Sequence, residues 1–563
     1  MFPPQVSAAR PQDFFIPGLD LGLKLLRSEV LAPEMVRPVN VEVRALASDT
    51  EQRQKAHSQA LMLRNNTWKK GVVFPTVLAI AENVSFRKHL SVNGKYFLSS
   101  AGGSRLRNRY AERGPKEEGV SSDQALVDYI REQSFKNVKP IPVHDGDFRG
   151  LDLVIETRNF FNFYHFLKES FPVLALYDRY GLTGRVKMVT SSRAEAMGFV
   201  VKLIETWFPH LADKVDLVRG EHKFGTALIP LDTRFYYYQC RERVIPSLEE
   251  VGPGITRRAA SRQMNLSAMN SYEGPVADLR AHVLTRLGVE PVGKRRLYIK
   301  RRSSRNRRVV GEELLLDQLE LMGFEIVYFE DHSVEEQARL VAQAECIVSL
   351  HGAGLANMLF APEGCHVIEL SNLQTLIKRY GDFNPLALAA GVHYVHFILD
   401  HDYPDKSVLP QISQEGHRGV ELSPFTAEVV AASIRGYLDP EAKAQVLSAG
   451  QELNGAGAYE ALEELLDRNW HLVADEADAS VWRANCLAER RDAGGCLTYL
   501  SAAMVLAPRR IPLIKRTLAL AHKLGNAEVF RQASVSLHRA DPAGAEAYMA
   551  ENGWTGELTE SRV

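Results

Sequence analysis

The stretch that decides the reading runs from Glu345 to Ser371, ECIVSLHGAGLANMLFAPEGCHVIELS. Cys346 to Leu350 is a short apolar run, the pattern of a strand covered on both faces. Glycines take over at Gly352 and Gly354, and an apolar segment, HGAGLANMLF, turns into a helix. His366 to Leu370 is a second apolar run. A strand that breaks at glycine and enters a helix places backbone N–H groups and the positive end of a helix dipole at the carboxyl edge of a sheet. Gly352 and Gly354 are expected to permit positive φ and to let a phosphate approach the main chain closely. Open parallel sheets bind ligands along that edge, so a diphosphate cradled by His351, Gly352, Ala353, Gly354 and Leu355 is the expected occupant. The competing reading is a tight turn that needs glycine only for packing. His351 and Asn357 weigh against it, because no turn requires an imidazole or an amide there, and both can donate to leaving-group oxygens.

Outward from this core the pattern alternates. RRLYIKR reads as a strand, Glu312 to Met322 as a helix with Leu315, Leu316 and Leu319 inward and Gly323 at its C-cap, and FEIVYF as a strand. Ser333 to Ala344 reads as a helix and GVHYVHFIL as a further strand. Strands alternating with helices of about ten residues imply a parallel sheet with right-handed crossovers. The basic run RRLYIKRRSSRNRRVVGEE puts Arg301 and Arg302 at a strand end and Arg307 and Arg308 ahead of a helix, at the same edge as the glycine turn. Guanidinium groups clamp diphosphates bidentately, and Arg302 and Arg308 are the favoured pair, although a solvated basic loop is the commoner fate of such a run. Glu369, after three apolar positions, is placed to accept hydrogen bonds from ribose hydroxyls, or else is an exposed strand terminus. Ser333 to Glu336 is a capping box, which gives Glu336 a structural task and positions Gln337.

Upstream, ETRNFFNFYHFLKESFPVL is dense in aromatic and polar groups. His165 there is either a satisfied core histidine or, as a neutral imidazole at a cleft, a general base for a hydroxyl. Glu169, Arg158 and Asn162 are the nearby alternatives. Further toward the N-terminus come GVVFPTVLAIA and KYFLSS as β-like runs, and SRLRNRYAERGPKEEG as an exposed charged loop. VKMVTS, VDLV and TALIPL read as strands, Arg193 to Phe208 as a helix, and about Pro246 to Asn270 as the connection between two lobes. From about Asp439 the chain becomes helical, with two hairpins ending at Pro508 and Pro542, 34 residues apart. The expected layout is an N-terminal extension (1–70), a first α/β lobe (71–285), a second α/β lobe that holds the anion site (286–440) and a helical, repeat-like domain (441–563).

A chain of 563 residues exceeds one core. Sixty-eight basic against sixty-nine acidic residues leave no global attraction to nucleic acid or membrane, so an anion site must be local. The five cysteines are scattered without zinc or dithiol spacing and read as free thiols in a reducing compartment. No leader or transmembrane segment is legible; Val72 to Ala81 is too short and contains Pro75. The expectation is a cytoplasmic protein, peripheral at the inner membrane at most. Asp145-Gly-Asp147 and Asp400-His-Asp402 have the form of Mn²⁺ or Mg²⁺ sites, but neither adjoins the glycine turn, and no cofactor is required.

Taken together, NFYHFL, LYIKRR, RRVVGEELL, GFEIVYFE, SVEEQARL and the 345–371 stretch resemble glycosyltransferase family 61, in its bacterial capsular polysaccharide biosynthesis form. The order Trp482, Gly494/Gly495, Ala502, Pro508 resembles a tetratricopeptide unit. The family resemblance implies an α/β fold of GT-B type, two Rossmann-like lobes facing a cleft, and an inverting transfer from a UDP-sugar to a glycan or protein hydroxyl, with the helical repeats available to a protein partner. One departure is visible: the family's Asn-Glu after the arginine pair is Gly311-Glu312 here. The alternatives are a protein O-glycosyltransferase that recruits polypeptide through its repeats, and a non-catalytic nucleotide-sugar-binding scaffold.

Overall fold

The computed structural model describes residues 2–27, 29, 31–66, 70–116, 119–137, 139–191, 198–234, 270–302 and 307–554. Two eight-stranded sheets carry the α/β part. In the first, Val215–Arg219, Val186–Thr190 and Leu153–Glu156 run parallel. His222–Asp232 continues parallel to Leu153–Glu156 and antiparallel to Thr76–Phe86. In the second, Glu325–Tyr328, Arg295–Lys300, Ala344–Leu350, His366–Asn372 and His393–His401 form an unbroken parallel series. These central strands are buried along most of their length, which is why they read as continuous apolar runs.

Residues before 70 are woven into both sheets. Leu23–Leu25 pairs with Thr76–Phe86 of the first, and Asn40–Ala45 adds a parallel strand to His393–His401 of the second. A small third sheet joins Glu34–Val36, Gly71–Phe74 and Ser271–Glu273. The helix Gly274–Leu287 then lies between the sheets. Its Val276, Leu279 and Val283 belong to one apolar core that includes Leu174 and Trp207 of the first lobe and Leu355 and Leu386 of the second. The two sheets are therefore packed through a shared core behind the strand ends.

Two local readings need correction. The 104–119 stretch expected as an exposed loop contributes to a helix, Ser100–Arg113, with Leu106 and Tyr110 on its buried side. Arg107 there is paired bidentately with Asp123 at 2.6 and 2.8 Å, so part of the apparent surface charge is internal. The helix expected after the glycine turn is a 3-10 helix, Ala353–Phe360. The proposed inter-lobe connection from Pro246 lies almost wholly outside the described residues, as does Cys240; the other four cysteines are free and buried.

The C-terminal part is helical throughout. Ala477–Glu489 and Ala493–Leu506 form one hairpin, and each boundary recurs 34 residues later in Ile511–Lys523 and Ala527–Ala540. This region is anchored by Asp475, whose side chain is fully buried. It accepts hydrogen bonds from Arg44 of the edge strand at 2.7 Å, Lys443 at 2.8 Å and Ser433 at 3.0 Å. A buried carboxylate needs such a full set of donors.

Burial pushes the imidazoles of His57, His366 and His401 down to about 4. His401 Nε2 accepts the Gln374 backbone N–H at 3.3 Å, a role only the neutral ring can fill. With folded-state values below the ordinary 6.5, their contribution is full above that value and is lost as pH falls toward 4, because the unfolded chain binds the protons first. The melting temperature should therefore fall steeply across that window. His401→Gln should shallow the slope, and an unchanged slope would remove His401 from this account.

Candidate active site

The second-lobe part of the site is built at the carboxyl edge of its parallel strands. Ala344–Leu350 ends, His351 and Gly352 follow, and the 3-10 helix begins at Ala353. Neither Gly352 nor Gly354 takes the left-handed φ that favours glycine; Gly352 is fully extended. What Gly352 supplies is space. A Cβ there would lie 1.9 Å from Arg301 Nη2, so the guanidinium rests directly on the glycine, whereas a Cβ at Gly354 would make ordinary contacts, the nearest with Phe329 at 3.6 Å. Gly352, Ala353 and Gly354 have backbone N–H groups that bond no backbone carbonyl among the described residues. That of Leu355 closes on Gly352 O at 3.0 Å and so leaves the expected cradle.

Alternation along the strand end separates the arginines. Arg301 turns onto the corner, and Arg307 Nη1 reaches His351 O at 3.5 Å. Arg302 and Arg308, the pair favoured from the sequence, are turned outward. Arg302 is 59% exposed, bound to Asp331 and stacked over Tyr328; Arg308 is 67% exposed and bound to Asp402 at 2.7 Å. Burial lowers the Arg301 and Arg307 guanidiniums, and for Arg307 the charges of Arg301 and Arg379 add to the effect. Arg379 Nη2 lies 3.4 Å from His417 Nε2. His417 is pushed down to about 4, by burial first and then by Arg307, Arg379 and His351. Cations gathered this closely raise one another's energy and favour an anion among them.

Glu369 is not a strand-end carboxylate open to a ribose. It is 1% exposed. Its Oε1 lies 3.1 Å from His351 Nδ1 and 3.4 Å from His396 Nδ1, and its Oε2 accepts Tyr394 Oη–H. Burial opposes its charge, but the two imidazoles overcome burial and hold it well below the usual carboxylate range. Its effect is to orient His351, taking Nδ1 and leaving Nε2 without a partner among the described residues. Gln337 and Asn357 are likewise occupied. The Gln337 amide donates to Phe329 O and His332 O at 2.8 and 3.0 Å and accepts from Asn357 Nδ2 at 3.1 Å, tying the 3-10 helix to the preceding one. Glu336 makes the capping box with Ser333.

The first-lobe part follows the same logic. Asn162 caps a short turn, Phe163–His165, by accepting the His165 backbone N–H at 3.2 Å. Phe166–Ser170 is a π-helical turn, a form that recurs at functional sites. His165 Nδ1 lies 2.8 Å from Glu169 Oε1, and Arg158 Nη1 stands 3.6 Å from the same oxygen. Burial opposes charge on Glu169, but the hydrogen bond and charge of His165, with Arg158 and Lys168, hold it below its ordinary value. Both imidazoles thus have a carboxylate on Nδ1, the arrangement that leaves Nε2 for chemistry.

The segment 379–383 joins the two parts. Tyr164 Oη donates to Asp382 O, and its ring meets Phe383 at 4.9 Å; Phe383 in turn meets His351 at 5.4 Å. The Asp382 carboxyl is raised by burial and pulled back by the charges of Lys168, His351, Arg379 and His165, and it lies 3.8 Å from Arg379 Nη1. Arg379, Asp382, Tyr164, Lys168 and His417 were not singled out in the sequence; no spacing marks them. The Asp-x-Asp pairs do not join this group. Asp400 accepts the Ser48 N–H, Asp402 binds Arg308, and Asp147 accepts the Arg149 N–H. Among the described residues, no cluster of three or more His, Cys, Asp or Glu side chains has a metal-holding arrangement.

Residues 163–368 match the family model described as Glycosyltransferase 61. The chain is 31% identical over 121 residues to Protein O-linked-mannose beta-1,4-N-acetylglucosaminyltransferase 2 of Bos taurus and of Homo sapiens, which is 21% of this chain and 21% of each relative. It is 32% identical over 123 residues to EGF domain-specific O-linked N-acetylglucosamine transferase of Canis lupus familiaris, 20% of this chain and 23% of the relative. The matches therefore span between a fifth and a quarter of these curated relatives, which are animal enzymes rather than capsule-forming ones. Family model and relatives together support a transferase of glycosyl groups.

The corner's geometry predicts separable effects at its two glycines. Gly352→Ala should melt close to wild type, because the side chain it displaces ends in a mobile guanidinium, yet it should weaken inorganic pyrophosphate binding about tenfold by calorimetry, the scale of one lost charge-assisted hydrogen bond. Gly354→Ala should leave both quantities unchanged. Equal losses in the two variants would show that Arg301 does not act through Gly352.

Proposed function

We propose that the chain is an inverting glycosyltransferase of GT-B type that moves a sugar from a nucleotide-sugar donor, a UDP-sugar by family likeness, to a hydroxyl acceptor in polysaccharide or glycoconjugate synthesis. The observation that carries the reading is the set of cations around Gly352. Arg301 and Arg307 lack a carboxylate partner among the described residues, and they stand beside three backbone N–H groups and His351. The donor's diphosphate occupies that corner. His165, with Nδ1 on Glu169, accepts the acceptor's proton at Nε2. The oxygen attacks the anomeric carbon from the face opposite the leaving group, and the carbon–oxygen bond to the diphosphate breaks. Charge growing on the leaving phosphate is met by donors already in place, which supply the stabilisation without a metal.

Two other readings bear on the acceptor and on catalysis. The relatives' names favour a protein hydroxyl as acceptor, and the helical hairpins then recruit polypeptide. Deleting residues 441–563 does not test this, because Asp475 ties that region to the edge strand of the second lobe. Assaying a peptide against a simple sugar acceptor with the intact chain does. The scaffold reading loses its one sequence feature. Gly311 has φ +70°, and a Cβ there would meet Leu422 O at 2.4 Å, so the missing amide follows from local packing.

A calorimetric screen of UDP-, GDP- and CMP-sugars identifies the donor. Arg301→Ala or Arg307→Ala should cut UDP release by about a hundredfold or more, the cost of one lost transition-state donor. Arg308→Ala, which removes a solvent-facing ion pair, should stay within about threefold. His165→Ala should lose about a hundredfold to ten-thousandfold with UDP affinity retained. Turnover above a tenth of wild type in that variant would reassign the base.

A further inference from the structure

A second basic site lies in the first lobe, away from the glycine corner. The helix Ser100–Arg113 carries Arg105, Arg109 and Arg113 at four-residue intervals, hence along one face. Arg105 Nη1 donates to Arg158 O at 3.3 Å, beside the Arg158–Glu169 pair. Toward the other end, Arg109 and Arg113 line a cavity of about 370 Å³ together with Arg87, Lys88, His89 and Glu221. This size falls within the range of small-ligand sites. Arg87 is neutralised by Glu221 at 2.6 Å. Lys88, Arg109 and Arg113 have no hydrogen-bonded or ion-paired carboxylate among the described residues. Among the described residues, Arg109 Nη1 meets only His89 Nε2, at 3.4 Å. In a chain with net charge −1, three uncompensated cations in one concavity focus a local positive field.

The cavity is coupled to the His165–Glu169 pair. His89 Nδ1 lies 3.2 Å from Glu156 Oε1, and Leu90 N–H donates to Glu156 Oε2 at 2.8 Å. Glu156 and Glu169 in turn line one small internal space with Ser100. Two carboxylates, Glu156 and Glu169, therefore lie between the basic cavity and the candidate base. The donor's diphosphate has its own cations in the other lobe, so an anion here belongs to the other substrate.

We propose that this pocket binds an anionic group of the acceptor, a uronate carboxylate or a sugar phosphate, and thereby selects an acidic carbohydrate. The inference rests on the transferase reading of the neighbouring site. Calorimetry on the full chain with trigalacturonate and with mannose 6-phosphate, against maltotriose and mannose as neutral counterparts, tests it. Affinity should be at least tenfold higher for an acidic probe than for its neutral counterpart, should weaken with added salt, and should fall at least tenfold in Arg109→Ala/Arg113→Ala. Lys88→Glu, at an exposed position, serves if the double variant does not fold. Which acidic probe binds distinguishes carboxylate from phosphate. UDP binding in the absence of binding by either acidic probe overturns the inference and leaves the transferase reading standing. Acidic-probe binding in a chain that binds no UDP supports the pocket and removes the donor site. Undiminished affinity in both variants overturns the assignment to these residues.

Discussion

A carboxylate taken out of water must have its oxygens met by donors, and Glu369 meets that demand with three side chains, two from one neighbouring strand and one from the glycine corner. Tyr394 and His396 come from the neighbouring strand, and His351 from the corner itself. The constraint runs in both directions. His351 and His396 together hold the charge on Glu369, and the same contact fixes the His351 ring at the corner. Placement of Gly352, and with it of Arg301, follows from this buried contact. Glu369 thus holds His351 in place beside the glycine corner.

The first lobe solves a related problem on a less regular backbone. A π-helical turn brings Glu169 under His165, and Asn162 caps the turn before it. Two imidazole–carboxylate pairs, one on each lobe, are then bridged by the 379–383 segment through Tyr164, Phe383 and Asp382. The shared apolar core behind the strand ends, with the helix Gly274–Leu287 inside it, holds the pairs at a set separation. Catalytic and binding groups need such support to stay within productive geometry. The helical C-terminal region extends this support: through Asp475 it is fastened to the same edge strand, Asn40–Ala45, that closes the second sheet.

Much of the second lobe was legible along the chain because buried parallel strands must be apolar and helices between them must repeat at 3.6 residues. The strands read over 346–350 and 366–370 stand for that reason, as does the capping box at Ser333. The helix over 100–113 was not legible. Its apolar face is little more than Leu106 and Tyr110, two glycines open it, and Arg107 is paired with Asp123 of a neighbouring helix that no local pattern reveals. The same blindness affected the arginines. Two adjacent basic residues at a strand end point to opposite sides, and a single chain does not say which side carries the ligand.

By itself, then, the sequence determined the strand–helix alternation of the second lobe, the glycine corner and the local density of basic residues beside it, since these arise from near-neighbour periodicity and from side-chain size. Tertiary structure decided what those residues touch. It buried Glu369 and turned it from a ribose ligand into a support for His351. It turned Arg301 and Arg307 toward the glycine corner and Arg302 and Arg308 outward, and it brought Arg379 and His417 together in a way that their positions in the chain do not announce. Burial and charge pairing depend on groups distant along the chain, so only the folded arrangement sets them.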